Sequence, residues 1–314
     1  MTSDPIFDGV LAGEPRAIAR AISIVEDAPA RAADLIARLH PRTGRAYVIG
    51  VTGAPGVGKS TLVDRLTTAI RQSGSTVGII AVDPTSPFSG GAVLGDRVRM
   101  NAHAADEGVF IRSMATRGHL GGLASATADA ILVLDAAGKD VVIIETVGVG
   151  QDEVDIVSTA DISLVVLVPG AGDDVQAMKA GIMEIADVFV VNKADREGAD
   201  HVVQTISANL ALKTFGPDEW RPPIVKTEAT TGVGIDALRS EIERFRQRPE
   251  QAREHRRRTR ESTRLRRLLS QRLVERVERE LPPGEFDRLV DAVAGREIDP
   301  YAAVERLMRG AQQS

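Results

Sequence analysis

Residues 53 to 60 read GAPGVGKS, and this stretch decides the fold. It matches the pattern GxxxxGK[ST], follows an apolar run that ends at Thr52, and precedes a helical pattern that begins at Thr61. Glycines at these positions let backbone N–H groups close around phosphates, and the N-terminus of the following helix adds partial positive charge. The stretch therefore predicts a phosphate-binding loop between a strand and a helix.

The chemistry of the loop assigns roles to its last residues. Lys59 would neutralise the outer phosphates, and the Ser60 hydroxyl would reach a Mg²⁺ ion. A glycine-rich turn between a strand and a helix is the alternative, and the correct strand, spacing and helix all disfavour it. The predicted nucleotide contacts are Gly53, Ala54, Pro55, Gly56, Val57, Gly58, Lys59, Ser60 and Thr61.

Short apolar runs alternate with helical patterns outward from this loop. The runs are AYVIGVT at 46–52, VGIIAVD at 77–83, VFIRSM at 109–114, VVIIET at 141–146, ISLVVLV at 162–168, DVFVVNK at 187–193 and PPIVKT at 222–227. Runs of β-branched residues are typical of strands buried on both faces, and their alternation with helices favours parallel pairing. We therefore predict an α/β fold of the P-loop NTPase class with a doubly wound, mostly parallel sheet.

Helical patterns without strands flank this region. Apolar residues recur at three- and four-residue steps over residues 6–40, and Pro41-Arg42-Thr43-Gly44 ends them. A long helix is predicted over residues 250–281, followed by short helices near 285–295 and 301–312. The sequence thus divides into an N-terminal helical extension at 1–44, a P-loop domain at 45–249 and a C-terminal helical arm at 250–314.

Composition excludes several kinds of site. The 314 residues include no cysteine and five histidines, which excludes disulfides, thiolate metal sites and cysteine nucleophiles. The start of the sequence lacks the basic segment and the long apolar run of a signal peptide, and the longest apolar stretches have the length of strands. We therefore expect a cytoplasmic protein that has no membrane partner.

Charge is distributed unevenly along the chain. Residues 251–280 hold 11 arginines against 5 glutamates, whereas the whole chain has a net charge of −5. These arginines alternate with leucines at helical spacing, and no aromatic residue lies among them to stack on bases. An exposed or dimer-facing helix is therefore favoured over a nucleic-acid-binding surface, and we expect no nucleic-acid partner. Salt-sensitive DNA binding would indicate the opposite.

The sequence Asn192-Lys193-Ala194-Asp195 follows the run at 187–191 and predicts the base-binding site. Open parallel sheets bind ligands beyond the carboxyl ends of their strands. A carboxylate at Asp195 can accept hydrogen bonds from the ring N–H and the exocyclic amine of guanine, whereas adenine leaves such an acceptor unpaired. Asn192 would brace the loop and the stem of Lys193 would cover the base, so we predict GTP and GDP as ligands.

A further base-contacting loop is predicted at Thr227-Glu228-Ala229. The position of these residues directly after the last predicted strand supports this prediction. An ordinary turn explains the same three residues equally well.

The acidic residue near the end of the run at 141–146 is unusual for a GTP-binding protein, because Glu145 stands where aspartate is common. We expect this strand beside the P-loop strand, so that Glu145-Thr146-Val147-Gly148 takes the place of the DxxG segment. In that segment the acid faces Mg²⁺ and the N–H of the glycine, here Gly148, senses the γ-phosphate. Glutamate reaches one methylene further than aspartate, which fits a Mg²⁺ ion held through water or shared with another carboxylate.

Two further carboxylates could share this metal. Asp83 ends the second predicted strand, and Asp96 lies in the sequence that follows it, DPTSPFSGGAVLGDRVRM. This segment is rich in proline, serine and glycine and lacks periodicity, which indicates a loop. Turn or cap roles for Asp83 and Asp96 are the alternative.

These motifs together resemble one family. GAPGVGKST, DPTSPFSGGAVLGDRVRM, IRSMATRGHLGGL, ETVGVGQDE, VPGAGDDVQAMKAGIMEIAD and NKAD, in this order and spacing, resemble the methylmalonyl-CoA mutase-associated GTPases of the MeaB type. Older names for this family are ArgK and lysine/arginine/ornithine transport ATPase. The resemblance covers residues 45–235 and continues through the helical flanks.

The resemblance implies a homodimeric, Mg²⁺-dependent GTPase that serves an adenosylcobalamin-dependent methylmalonyl-CoA mutase. Such a GTPase gates cofactor delivery and protects the mutase, and its slow intrinsic hydrolysis rises with the partner. The implied metal ligands are Ser60, Asp83, Asp96 and Glu145, and the implied catalytic residues are Lys59, Asp83, Glu145 and Arg99. By the same resemblance, residues 45–249 would form the P-loop GTPase domain, and the C-terminal helices at 250–314 would form the dimerisation arm.

Other functions fit the sequence less well. A metal-delivery GTPase chaperone needs a transferable metal site, and a chain with no cysteine and five scattered histidines disfavours one. An ATPase or kinase linked to basic amino-acid transport is suggested by the older family name, but the NKAD motif disfavours ATP. Competition between nucleotides would separate these functions.

Overall fold

A computed structural model of the chain describes residues 4–83, 103, 105–115, 122–146, 159–170, 182–217 and 219–310. The chain forms two compact units, Met1–Arg257 and Arg258–Ser314. All strands among the described residues belong to the first unit. The predicted phosphate and base sites therefore lie within this unit as well.

Among the described residues, seven strands form one sheet in the order β3-β2-β4-β1-β5-β6-β7, and all neighbours are parallel. Their bounds are β1 Tyr47–Gly53, β2 Val77–Asp83, β3 Val109–Ala115, β4 Val141–Thr146, β5 Ile162–Leu167, β6 Val188–Asn192 and β7 Ile224–Thr227. Strand order reverses at β1, as in a doubly wound sheet. The predicted sheet and each of its strands are confirmed.

Helices cover both faces of this sheet. Their bounds in the first unit are α1 Pro5–Leu11, α2 Pro15–Asp27, α3 Pro29–Leu39, α4 Lys59–Gln72, α5 Gly122–Ala136, α6 Ile182–Ile185, α7 Ala199–Ala211 and α8 Ile235–Arg246. α4 and α8 share a hydrophobic core with one face, whereas α1, α2, α3 and α5 pack on the other face beside α7. Because both faces are covered, β4 and β5 are buried along their whole length.

A buried carboxylate fixes the segment that connects the N-terminal helices to the sheet. Asp135 on α5 accepts hydrogen bonds from the backbone N–H groups of Gly44, Arg45 and Ala46 at 2.6 to 3.2 Å. These residues connect the short 3-10 helix His40–Arg42 to β1. The contact holds the start of β1 in place, and β1 is the strand that leads into the phosphate loop.

Another buried carboxylate lies at the amino ends of the strands, opposite the end of the sheet that carries the phosphate loop. Asp187, directly before β6, accepts two hydrogen bonds from the Arg256 guanidinium, at 2.8 and 2.6 Å, and one from the Ser163 N–H at 2.8 Å. Burial raises the pKa of Asp187, and the nearby Arg256 offsets only part of this rise. Because Arg256 belongs to α9, Glu250–Glu280, the pair fixes the first turns of this helix to the first unit.

The second unit contains the rest of α9 together with α10 Glu285–Ala294 and α11 Pro300–Gly310. Asp299 caps α11 by accepting hydrogen bonds from the N–H groups of Tyr301 and Ala302, both at 3.0 Å. The predicted C-terminal helices are therefore confirmed.

Exposed apolar side chains concentrate in this second unit. Among the described residues, it holds nine of the twelve large hydrophobic residues that are exposed: Leu265, Leu269, Leu273, Val274, Phe286, Val290, Tyr301, Val304 and Met308. Apolar surface of this kind marks interaction sites in soluble proteins. Over the described ranges, no helix combines the length and the apolar character that crossing a membrane requires.

Candidate functional site

The predicted phosphate loop connects β1, which ends at Gly53, to α4, which begins at Lys59. Gly58 adopts a left-handed conformation with φ of 94°, and a Cβ atom there would lie 2.5 Å from the Nδ2 of Asn192. Only glycine fits both constraints. The backbone of the loop thus approaches the predicted base-binding segment closely.

Lys59 is the first residue of α4, and its side chain is buried. Its ammonium group donates hydrogen bonds to the carbonyl oxygens of Gly53 at 2.7 Å and Ala54 at 3.0 Å. The positive charge therefore lies inside the curve of the loop, at the N-terminus of a helix. Both features favour an anion at this position.

Ser60 and Glu145 meet beside this loop. The Ser60 hydroxyl donates a hydrogen bond of 2.5 Å to Oε1 of Glu145, which is buried. Sheet register explains the contact, because β4 pairs with β1 and Glu145 lies opposite Val51. The predicted position of Glu145 beside the P-loop strand agrees with this register.

A hydrogen bond between two threonine hydroxyl groups connects the ends of β1 and β4. Thr146 Oγ1 donates to Thr52 Oγ1 across 3.0 Å, and both side chains are fully buried. This bond links the residue after Glu145 to the residue before Gly53. It holds the acidic end of β4 against the start of the phosphate loop.

The structure describes only part of the other residues predicted to bind metal, sense phosphate or act in catalysis. Asp83 ends β2, and because Ala81 pairs with Glu145, the backbone of Asp83 lies two residues further along the neighbouring strand. The side chain of Asp83 and the whole of Asp96, Arg99 and Gly148 lie outside the described residues.

Asn192 connects three segments of the predicted site. It is buried at the end of β6, and its Nδ2 donates to the carbonyl oxygen of Val57 at 2.8 Å. Its Oδ1 accepts from Thr227 Oγ1 and from the N–H of Ala229, both at 3.1 Å. One amide group thus joins the phosphate loop, β6 and the loop after β7.

The neighbouring residues of the NKAD sequence extend this connection. Lys193 has a φ of 55°, which is uncommon for a residue other than glycine, and its ammonium donates to the Gly56 carbonyl at 2.7 Å. The N–H of Ala194 donates to the Thr227 carbonyl at 3.1 Å. Asp195 follows and is exposed, so its carboxylate can contact a ligand.

Residues 227–234 form a closed turn after β7, which we call the base loop. Glu228 pairs with Val233 through an isolated antiparallel bridge, and the N–H of Gly232 donates to the Glu228 carbonyl at 2.8 Å. Ala229 is buried in the core beneath α4 and α8. The structure therefore brings Thr227, Glu228 and Ala229 to the same end of the sheet as the phosphate loop and Asn192.

One residue of this region has no sequence signal. Arg65 on α4 donates from Nε to the Ala229 carbonyl at 3.1 Å and from Nη2 to the Thr230 carbonyl at 2.6 Å. A surface arginine in a helix is common, and the pattern of α4 gives no indication that it reaches another segment. Only the fold shows that it lies beneath the base loop.

A family comparison agrees with this geometry. The family model described as "Methylmalonyl Co-A mutase-associated GTPase MeaB" matches residues 18–281, which include the whole sheet and the whole of α9. The chain belongs to the MeaB family. The resemblance stated from the sequence motifs is therefore confirmed.

Individual relatives support the same assignment. This MeaB-family chain is 49% identical over 310 residues to a protein of Pyrococcus abyssi that is named as a GTPase, covering 98% of this chain and 96% of that protein. It is 38% identical over 233 residues to the GTPase ArgK of Escherichia coli, covering 72% and 70% of the two chains. A crystal structure titled "LAO/AO transport system kinase" superposes with a TM-score of 0.74 at 25% identity and covers 99% of both chains.

Membership in the MeaB family makes this chain a guanine-nucleotide-binding GTPase. The P-loop NTPase fold predicted from the sequence is confirmed by its sheet and by the solved neighbour. The clustered residues Lys59, Ser60, Glu145 and Asn192 lie where such a fold binds its nucleotide, at the carboxyl ends of the parallel strands.

Proposed function

We propose that this chain is a GTPase chaperone of an adenosylcobalamin-dependent methylmalonyl-CoA mutase, which it supplies with cofactor and protects from inactivation. The family match over residues 18–281 carries the proposal, because the description of that family names the mutase. The two proteins would meet in the cytoplasm. GTP hydrolysis would couple the state of the GTPase to the state of its client.

At the phosphate end of the site, Lys59 is the residue that meets the negative charge. Its ammonium now contacts the carbonyls of Gly53 and Ala54. When GTP enters, the ammonium would exchange these neutral acceptors for phosphate oxygens, because a charged acceptor forms the stronger hydrogen bond. The backbone N–H groups of residues 54–60 would surround the same phosphates.

The donor set beside Lys59 suits Mg²⁺. Ser60 and Glu145 present a hydroxyl and a carboxylate 2.5 Å apart, and these hard oxygen ligands are the ones that Mg²⁺ prefers. Asp83 and Asp96 would complete the carboxylate set, directly or through water. An ion held by these residues would supply positive charge that offsets the charge developing on the phosphates.

At the base end, Asp195 would read guanine by accepting from its ring N–H and its exocyclic amine. Asn192 would support the site without contacting the base, since its amide holds the backbone of Val57 and Ala229 in place. The stem of Lys193 would cover one face of the base, and the base loop would lie against the edge that carries the oxygen atom. Together these contacts select guanine over adenine.

We propose a slow intrinsic hydrolysis rate that rises when the mutase binds. Phosphoryl transfer depends on positioning and on stabilising charge in the transition state. Glu145 is held by Ser60, and we propose that Arg99 and Gly148 complete the site in the complex with the client. Asp83 is the candidate residue that would orient the attacking water or accept a proton from it.

The second unit is proposed as the dimer interface. Leu265, Leu269 and Leu273 recur at four-residue steps on α9 and expose about half or more of their surface, at 66%, 60% and 48%. Such a stripe on one helix face matches the spacing of helix–helix interfaces. A second copy of the chain would cover it.

The proposed function is tested by mixing the purified protein with the methylmalonyl-CoA mutase of the same organism and measuring GTP hydrolysis. The expected result is a guanine-specific rate that rises several-fold with the mutase. ATP in place of GTP is the control that separates this function from a transport ATPase or kinase. A GTP hydrolysis rate that is indifferent to the mutase would contradict the proposed client.

A further inference from the structure

Arg65 joins the helix that carries the phosphate-binding residues to the loop that would meet the base. Its guanidinium donates to two successive carbonyls, Ala229 at 3.1 Å and Thr230 at 2.6 Å. Two nitrogens of a planar guanidinium have a fixed separation, so a fork of this kind sets both the position and the direction of its partners. An ammonium group carries its donors on one nitrogen atom, so it lacks this fixed pair of donor positions.

The two peptide groups on either side of the Ala229 Cα are each held by a side chain. Asn192 accepts from the Ala229 N–H at 3.1 Å, and Arg65 donates to the Ala229 carbonyl at 3.1 Å. Because the peptide bond is planar and trans, a fixed carbonyl at Ala229 also fixes the direction of the next N–H, that of Thr230. The donors and acceptors of the base loop therefore have defined directions.

The position of Arg65 in the chain gives this contact its consequence. Arg65 lies five residues after Ser60 on the same helix, a rise of about 7.5 Å along a rigid element. Lys59 and Ser60 set the phosphate position at one end, and Arg65 sets the base loop at the other. A nucleotide spans these two points, so the distance between them must suit the ligand.

We propose that Arg65 is a positioning residue for guanine recognition, which holds the base loop at the correct distance from the phosphate-binding end of α4. The proposal rests on the proposed role of Thr227, Glu228 and Ala229 as a base-contacting loop. It assigns Arg65 no direct contact with the ligand. Its action is to preorganise the loop, which lowers the ordering cost of binding.

The test compares a ligand with a base and one without. Affinities for GDP and for inorganic tripolyphosphate are measured by calorimetry on the full chain, for the wild type, for Arg65→Ala and for Arg65→Lys. We expect Arg65→Ala to weaken GDP binding about tenfold and to speed GDP release, with tripolyphosphate affinity unchanged. Arg65→Lys keeps the charge but loses the fork, so its GDP affinity should lie between those of the wild type and Arg65→Ala.

Two control variants make the outcome specific. Arg239→Ala removes an exposed arginine from α8 and should leave both affinities at the wild-type level. Asp195→Asn tests the base site itself, because an amide there should favour XDP over GDP. Failure of this switch would overturn the base-site assignment independently of Arg65.

Two results would overturn the role of Arg65 while the base site stands. One is an equal loss of GDP and tripolyphosphate affinity in Arg65→Ala, which would indicate general damage to the site. The other is unchanged GDP affinity and release in this variant. If Arg65→Ala unfolds, the Arg65→Lys variant must still lower GDP affinity selectively, and its failure to do so would count against the proposal.

Discussion

Ser60 and Glu145 lie 85 positions apart in the chain, yet the serine hydroxyl donates a 2.5 Å hydrogen bond to the glutamate carboxylate. The parallel pairing of β1 with β4 places Glu145 opposite Val51, one strand away from the loop that Ser60 follows. The longer side chain of glutamate spans this gap. The hydrogen bond therefore links the end of the phosphate loop directly to the acidic end of β4.

The first prediction concerns Glu145. In Glu145→Ala, GDP binding should persist because the phosphate loop and Lys59 are intact, whereas mutase-stimulated GTP hydrolysis should fall about 10- to 100-fold. Single-turnover hydrolysis with the mutase present measures the effect. Glu145→Asp, which is shorter by one methylene, is the matched control and should give an intermediate rate. Unchanged stimulated hydrolysis in Glu145→Ala would remove the role proposed for this carboxylate.

The second prediction contrasts two residues of one motif. Asn192→Ala should lower the melting temperature without nucleotide, because it leaves the Val57 carbonyl, the Thr227 hydroxyl and the Ala229 N–H without their partner. Each such buried group costs about 1 to 3 kcal/mol. Thermal unfolding of the nucleotide-free protein measures this loss.

Asp195→Ala is the matched comparison for Asn192. Asp195 is exposed, so its removal should leave the melting temperature unchanged while GDP affinity falls. The two variants should therefore separate stability from base recognition. An Asn192→Ala protein as stable as the wild type would show that its three hydrogen bonds are replaced by others.

The sequence was sufficient to predict the sheet because each strand carries a local signal. Runs such as VVIIET and ISLVVL are mostly apolar, and both β4 and β5 are buried along their length. The phosphate loop and the NKAD sequence are also local patterns with fixed chemistry. Parallel pairing then brought Glu145 to β1, as its place at the end of a strand predicted.

Contacts that depend on the fold could not be predicted in this way. Arg65 reaches carbonyl oxygens more than 160 positions away, and Arg256 reaches Asp187 across 69 positions. A backbone carbonyl has no residue-type signature, and an arginine on a helix usually faces solvent. Hydrophobic periodicity therefore identified α4 and α9 but gave no indication of what their polar side chains contact.

The third prediction uses the buried Asp187–Arg256 pair. Arg256→Ala should destabilise the protein by about 3 kcal/mol at neutral pH, because a buried carboxylate loses its partner. Removing Arg256 should raise the pKa of Asp187 further. A raised pKa stabilises the protonated folded state, so the loss should appear as pH rises above the ordinary value of 3.8. Urea unfolding at several pH values measures this dependence.

Two variants test the cause of that pH dependence. Arg256→Ala combined with Asp187→Asn should recover most of the stability at neutral pH, since no buried charge remains. Arg253→Ala removes an arginine from the same helix, but its partner Glu250 is exposed, so a change below about 1 kcal/mol is expected. Equal destabilisation of Arg256→Ala at every pH would show that lost packing, rather than the Asp187 charge, is responsible.

The fourth prediction concerns the acid side of stability. The Arg71 guanidinium, which forms two hydrogen bonds of 2.8 Å with Asp106, lowers the pKa of this carboxyl to about 2. A lowered pKa means that the stabilising charge is present above the ordinary value of 3.8 and is lost as pH falls toward 2. Asp106→Asn should therefore flatten the stability profile in this interval. A profile identical to that of the wild type would contradict this cause.

The last prediction tests the dimer through its exposed leucines. Leu265→Glu combined with Leu269→Glu should convert the proposed dimer to a monomer, because charged residues would have to be buried in the interface. Both positions are exposed, so the monomer itself should remain folded. Light scattering during size-exclusion chromatography measures the mass, and circular dichroism checks the helices. Leu212→Glu is the matched control, since Leu212 is 85% exposed in the first unit and should leave the mass at two chains. A double variant that keeps the mass of two chains would place the interface elsewhere, whereas a wild-type protein with the mass of one chain would remove the proposed dimer.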